Sequence, residues 1–293
     1  MPNHVTNILT ISGDDELVKR IRYEIQGDDE EDARLIDFNK IIPRPESLNI
    51  TSGTQTDNGI AVLQYMAGNK ERIIEMLGWH WVKEAGITDP DELVKNLIEN
   101  DRVNFDDAKQ ALENLANYGH KDWYSWAIDK WGTKWNAYSQ ELNEDGAIKF
   151  QTAWSNPYEI IRALSEKYPE ARFHIKFADE DLGHNVGEYT MADGLIIFEY
   201  IPDEGSEEAL LMAIEICGYD DYISDRCFEI DPDYSVDDLE EYDMKWLNIA
   251  YSKGILDSYP KCALDYLLNL AVNDENYEFA QKIKETDSWS EVE

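Results

Sequence analysis

Residues 134–177 read KWNAYSQELNEDGAIKFQTAWSNPYEIIRALSEKYPEARFHIKF, and their pattern decides the fold class. Lys134 to Glu141 and Ala147 to Ala153 have strand character, with the turn sequence Asn143-Glu144-Asp145-Gly146 between them. Asn156 then offers a helix cap, Pro157 suits a first turn, and Glu159 is spaced to reach back in a capping box. Ile160, Ile161 and Leu164 give this helix one apolar face, and Tyr168-Pro169 ends it. Phe173, Ile175 and Phe177 alternate with Arg172, His174 and Lys176, the period-two pattern of a half-buried strand. The stretch therefore predicts β-β-α-β.

Toward the N-terminus, Val5 to Ser12 predicts a strand with Val5, Asn7, Leu9 and Ile11 on one face. Gly13-Asp14 breaks it and caps a helix whose stripe is Leu17, Val18, Ile21 and Ile25. The whole order is β-α, a long insertion, then β-β-α-β. That predicts an α+β, ferredoxin-like fold: a four-stranded antiparallel sheet with two helices on one face. After a charged loop at Asp28 to Asp32, Leu35 to Ile42 reads as extended, closed by Pro43 and Pro45, and Thr51 to Gly59 as a polar loop. The insertion, about 43–130, reads as helices at Ala61 to Leu77, Asp91 to Asn100, Asn104 to Tyr118 and Asp122 to Lys130. Seven of the nine tryptophans lie between Trp79 and Trp154, so this region also carries an aromatic core. Beyond Phe177, strands are expected around Tyr189 and Leu195 to Phe198, and helices at Glu207 to Cys217, Val236 to Ser252, Lys261 to Val272 and Glu275 to Glu285. A boundary near Pro202 divides a ferredoxin-like domain, 1–201, from a mainly helical acidic extension, 202–293.

The chain carries 62 acidic and 26 basic residues, a formal net charge of −36. At 43% apolar and 12% aromatic residues it can still build a core, which disordered acidic chains cannot. No apolar run approaches the ~18–20 residues of a membrane span, and no basic-then-apolar leader opens the chain. Cys217, Cys227 and Cys262 have neither framework nor CxxC spacing, and read as free thiols of a cytoplasmic protein. Residues 201–293 hold 25 acidic and 6 basic residues, a net of −19. Within Asp220 to Asp243, eleven carboxylates face only Arg226. A charge this large far exceeds the ~2–8 units that keep a small domain soluble. Lysine (17) outnumbers arginine (9), which speaks against salt adaptation. Polyanions such as nucleic acid and anionic lipid are repelled, and basic protein surfaces are attracted.

Three blocks resemble a known family. Met1-Pro2-Asn3-His4-Val5-Thr6-Asn7-Ile8-Leu9-Thr10-Ile11-Ser12-Gly13 is similar to the start of YubB-type, Api-like phage proteins, many of which have Trp-Cys where this chain has His4-Val5. Trp131-Gly132-Thr133-Lys134-Trp135-Asn136-Ala137-Tyr138 resembles the family's most characteristic motif. Thr152-Ala153-Trp154-Ser155-Asn156-Pro157 with Leu164 to Pro169 resembles a third block, and Ile41 to Glu46 a weaker fourth. The blocks keep family order over residues 1 to about 180. The resemblance implies a ferredoxin-like core and an origin in a phage, prophage or plasmid. It implies no catalytic mechanism.

No metal, nucleotide or nucleophile motif is present: HExxH, GxSxG, the Walker loop and GxGxxG are all missing. His184 with Asp179, Glu180 or Asp181 is a spatial metal alternative, and Asp231 to Asp237 only loosely resembles a calcium loop. Trp131, Trp135, Tyr138 and Trp154 could stack bases, but without a basic groove they read as ties between insertion and sheet. The expectation is a cytoplasmic, non-enzymatic binding protein without cofactor or metal and with no direct nucleic-acid or membrane partner. It would inhibit a host nucleic-acid-handling defence factor (CRISPR effector, restriction enzyme or nuclease–helicase system) as a DNA mimic or blocker. The expected partner-binding residues are Asp220, Asp221, Asp225, Asp231, Asp233, Asp237, Asp238, Glu240 and Glu241, with Tyr222, Tyr234 and Trp246 as anchors. The alternative is a small-molecule-binding or enzymatic protein with a pocket between the sheet and the Trp-rich insertion.

Overall fold

Val5, Asn7, Leu9 and Ile11 do share one buried face of a strand, β1 (His4–Ser12), in a computed structural model that describes residues 3–28, 34–218, 241–258, 261–273 and 276–286. β1 is paired antiparallel along both edges. On one side lies β3 (Ile148–Ala153), in register from Val5↔Thr152 to Leu9↔Ile148. On the other lies β4 (Arg172–Asp179), from Val5↔Asp179 to Ser12↔Arg172. β2 (Tyr138–Leu142) adds to β3, so the first four strands lie in the order β2-β3-β1-β4, the split β-α-β arrangement of a ferredoxin-like α+β fold. β5 (Gly187–Ala192) and β6 (Leu195–Tyr200) continue the antiparallel sheet beyond β4 to six strands.

The first helix, α1 (Asp15–Ile25), starts where Asp14 accepts the Glu16 N–H, and buries Ile21 and Ile25. The helix after β3, Tyr158–Lys167, buries Ile160, Ile161 and Leu164 in the same layer, against Leu9, Phe150, Phe173 and Ile175. The expected capping box is absent there. Asn156 instead accepts the Tyr189 hydroxyl at 2.9 Å, and Glu159 binds Arg162, so no side chain caps the helix.

Before the insertion, Leu35 to Ile42 is not extended throughout. Phe38–Ile41 forms a short helix, α2, because the Asp37 carboxylate accepts the Asn39 N–H. Thr51 to Gly59 is not a loop beyond Gly53: a helix, α3 (Thr54–Met66), runs through it. Its polar residues serve as buried partners, Thr56 donating to the Thr51 carbonyl and Asn58 to that of Arg102. Gly59 meets Asn104 and Ala108, and a Cβ there would lie 2.7 Å from the Asn104 oxygen. The single helix expected over Ala61 to Leu77 is two, α3 and α4 (Glu71–Met76), divided where Gly68 takes φ +97°. Next come α5 (His80–Glu84), α6 (Pro90–Glu99), α7 (Phe105–Tyr118) and α8 (Trp123–Trp131). Asp89, Asn104 and Asp122 cap the last three.

Following the helix Tyr158–Lys167 (α9), α10 (Glu207–Cys217) lies across the opposite face of the sheet, with Ala209, Ala213 and Ile216 against Ala178, Val186 and Ile8. Leu210 and Ile214 of the same helix enter a second core with Leu247, Leu264, Phe279 and Ile283. These come from α11 (Glu241–Ser252), α12 (Lys261–Asn273) and α13 (Tyr277–Lys284). The expected boundary at Pro202 thus precedes a helix that covers the sheet and joins it to the helices that follow.

Trp131 closes α8 at 1% exposure. Its indole N–H donates to the Ile42 carbonyl at 2.9 Å, its ring meets Phe38 and Trp126 edge-on, and the Arg44 guanidinium lies over it. Two residues later the Thr133 hydroxyl donates to the Ala153 carbonyl, stitching the exit of the insertion to β3. Trp131→Ala should therefore destabilise the protein by about 3–5 kcal/mol. Tyr23→Ala, at a site 81% exposed, should change stability by no more than about 0.5 kcal/mol. Urea denaturation of the two variants checks the contrast.

Candidate functional site

Of the expected partner-binding residues, Asp220, Asp221, Tyr222, Asp225, Asp231, Asp233, Tyr234, Asp237, Asp238 and Glu240 lie outside the described residues, as does the calcium-like stretch Asp231 to Asp237. Glu241 opens α11. Trp246 is a correction. It is 1% exposed and packs in the second core with Leu247, Ile249 and Ala250, so its ring is unavailable to a partner. Around this region Asp203, Glu204, Glu207, Glu208 and Glu215 are exposed carboxylates. Glu207 and Glu208 occupy the first turn of α10, where the helix dipole favours negative charge.

The described residues with the densest chemistry lie at one end of the sheet, where β1 begins and β3 and β4 end. Lys134 follows α8 and points its ammonium at three rings, 4.6 Å from the centroid of Trp154, 4.8 Å from Trp135 and 5.7 Å from Tyr124. Such cation–π contacts are each worth roughly 0.5–1 kcal/mol when exposed. Trp154 is 42% exposed and adopts φ +73°, a left-handed conformation that a bulky residue takes only under constraint. The constraint is visible: its N–H donates to the Asn3 carbonyl and its own carbonyl accepts from Asn185.

Beneath these rings the Tyr138 hydroxyl lies 2.5 Å from His4 Nδ1 and 3.3 Å from the Thr152 carbonyl. Burial and the nearby Glu180 charge push this phenol above its ordinary range. Asp179, at 5% exposure, accepts from Asn3, Asn185 and the Asp181 N–H. His184 pairs with Glu204 rather than with Asp179. Among the described residues no group of three or more His, Cys, Asp or Glu side chains is placed to hold a metal. Cys217 is free, and burial raises its thiol, the opposite of an activated nucleophile. The His4–Tyr138 pair was not singled out in the sequence. Its partners are 134 positions apart, and the β1–β3 and β2–β3 registers together bring them near each other.

Two open depressions flank this region. One of about 490 Å³ lies between the insertion and the motif, lined by Arg44, Asn49, Ile50, Thr51, Trp123 and Trp135. The other, of about 390 Å³, is lined by Phe177, Gly183, Asn185, Val186, Ile201, Pro202 and Glu204. Among the described residues no helix is long and apolar enough to cross a membrane.

Sheet order and helix placement define an α+β protein of the ferredoxin-like class. Residues 130–220 match the family model described as the ferredoxin-like domain in Api92-like protein. The match runs from the end of α8 through α10, and the motifs at Trp131 to Tyr138 and Thr152 to Pro157 fall inside it. A solved structure, the crystal structure of a protein api92 from Yersinia pseudotuberculosis, is similar over 69% of this chain and 99% of that chain, at 11% identity and a TM-score of 0.33. A likeness of that degree adds nothing to the fold argument. No curated protein matches the sequence.

The Glu204 carboxylate, hydrogen-bonded to His184 with Asp181 and Asp179 nearby, raises the imidazole pKa above its ordinary 6.5. A raised histidine favours the folded state below the unfolded pKa, and that contribution is lost as pH rises through the folded value. NMR titration should place the His184 midpoint above 6.5, and Glu204→Gln should return it toward that value.

Proposed function

We propose that this protein is a phage or mobile-element product that binds a basic surface on a host nucleic-acid-handling defence factor and blocks it without catalysis. The observation that carries the reading is the charge balance. The chain holds a surplus of negative charge that its own cations do not offset. Many of those cations are engaged locally: Lys149 with Glu141, Lys176 with Glu215, Lys167 with Glu24, Lys121 with Asp57, and Arg162 with both Glu159 and Glu166. Others lie over rings, Arg102 on Trp81 and Lys134 on its three aromatics. The surplus therefore defines the long-range field, which steers basic partners toward the protein and repels nucleic acid.

DNA presents about one charge per ~1.7 Å of axis to the channels that bind it. The nine carboxylates of Asp220, Asp221, Asp225, Asp231, Asp233, Asp237, Asp238, Glu240 and Glu241 would meet the cations of such a channel, and Tyr222 and Tyr234 would add contact specificity. CRISPR effectors, restriction enzymes and nuclease–helicase systems have such channels. With Trp246 in the core, it takes no part.

A second reading has its own observation, the depression of about 490 Å³ between insertion and sheet motif, a fit for a small molecule. The two separate cleanly. Changing these nine carboxylates to Asn or Gln should abolish capture of a nucleic-acid enzyme from host cytoplasm at low salt, while circular dichroism stays unchanged. Equal capture by the neutralised protein would sink the acidic-surface reading. A ligand retained by that same variant in native mass spectrometry would support the pocket.

A further inference from the structure

β6 is the outermost strand of the sheet, and it reads Leu195-Ile196-Ile197-Phe198-Glu199-Tyr200, continued by Ile201. Its neighbour β5 buries Tyr189 and Met191, yet all six apolar residues from Leu195 to Ile201 are 40–67% exposed, on both faces of the strand. Core packing does not account for so apolar a composition in a chain that is 30% charged. β6 bonds to β5 along one edge, and among the described residues no strand pairs with the other. Native edges are ordinarily blunted by lysine, proline or an inward charge. Here the strand carries one charge, Glu199, and the first proline, Pro202, comes after it.

Acidic groups bracket this edge. Asp193 is exposed at one end, and Asp203 and Glu204 at the other. Beside Ile201 lies the depression of about 390 Å³, with Phe177, Val186 and Pro202 in its wall and Glu204 at its rim. That combination suits a long aliphatic stem ending in a cation. Six half-exposed side chains at roughly 100 Å² each offer on the order of 600 Å², close to the ~800 Å² per partner of a standard interface.

We propose that β6 is a docking edge, which an apolar extended segment of a partner protein, flanked by Lys or Arg, joins as an additional strand. Main-chain bonds would supply affinity, and the basic flanks would select the partner. Charge decides against a second copy as the occupant. Antiparallel self-pairing would set Asp193 of one chain against Asp203 and Glu204 of the other, between bodies that each carry −36. The proposal rests on the reading that the partner is a basic protein, but it assigns residues, Leu195 to Ile201, other than the carboxylates of 220–241.

The test uses the full chain and a fluorescein-labelled peptide, Lys-Lys-Val-Thr-Val-Ile-Val-Lys-Lys, followed by fluorescence anisotropy. Binding should weaken about tenfold or more when the flanks become Glu, when proline replaces the central Val, or when the protein carries Ile197→Lys. Hydrogen exchange across 195–201 should slow when the peptide is added, a readout that needs no variant. The proposal is overturned if the peptide does not bind, if the proline peptide binds equally well, or if exchange is unchanged. It is also overturned if sedimentation shows a dimer that Ile197→Lys dissociates, which would make a second copy the occupant. The variant neutralised at 220–241 should still bind the peptide. Capture that persists undiminished in that variant, with peptide binding intact, removes the acidic-surface reading alone; capture lost on neutralisation, with no peptide binding by the intact chain, removes the docking edge alone.

Discussion

β1 is hydrogen-bonded along both edges to strands that occur far later in the chain, and every other placement follows from that pairing. The insertion leaves after α1 and must deliver the chain back beside β1. It does so through Trp131, buried against Phe38 and bonded to Ile42, then Gly132 at φ +74°, then Thr133 bonded to Ala153. Asn7 sits on the inward face of β1 with no exposure and donates to the Thr152 hydroxyl at 2.8 Å. A buried amide of this kind ties β1 to β3 in one register, since a slip of one residue would move it to the other face and separate it from Thr152.

The sheet was legible because its strands are long enough to display period two. Phe173, Ile175 and Phe177 are buried as the alternation required, and so are Val5, Leu9 and Ile11. Shorter or irregular pieces were not. Phe38–Ile41 is a single turn, too brief for a helical period to show, and its signal was the Asp37 cap. Thr54 to Gly59 looked like loop because it is polar, but Thr56 bonds the nearby Thr51 carbonyl and Asn58 the distant carbonyl of Arg102. Asn156 was a plausible cap whose oxygen is bound by Tyr189, a contact that sequence spacing does not encode. Trp246 was read as an anchor, although Leu247, Ile249 and Ala250 beside it already outline a buried helix face.

Trp131 is structural and enclosed, while Trp135 and Trp154 gather around Lys134 at the surface end of the sheet, near His4, Tyr138 and Asp179. Aromatic composition indicated that this region matters, but separating the enclosed indole from the exposed ones required the fold. In the proposed account the acidic field and the apolar edge have complementary reach. The field acts over about a Debye length of ~8 Å and raises the encounter rate. The edge of β6 acts only at contact, through backbone groups and exposed side chains, and sets which basic partner stays.

Competition between this protein and duplex DNA for a captured target tests the central claim most directly. With labelled DNA bound to the target and anisotropy as the readout, the account predicts full displacement of DNA by the intact chain, weakening steeply as salt rises. A stable ternary complex of target, DNA and this protein, with DNA affinity unchanged, would contradict it.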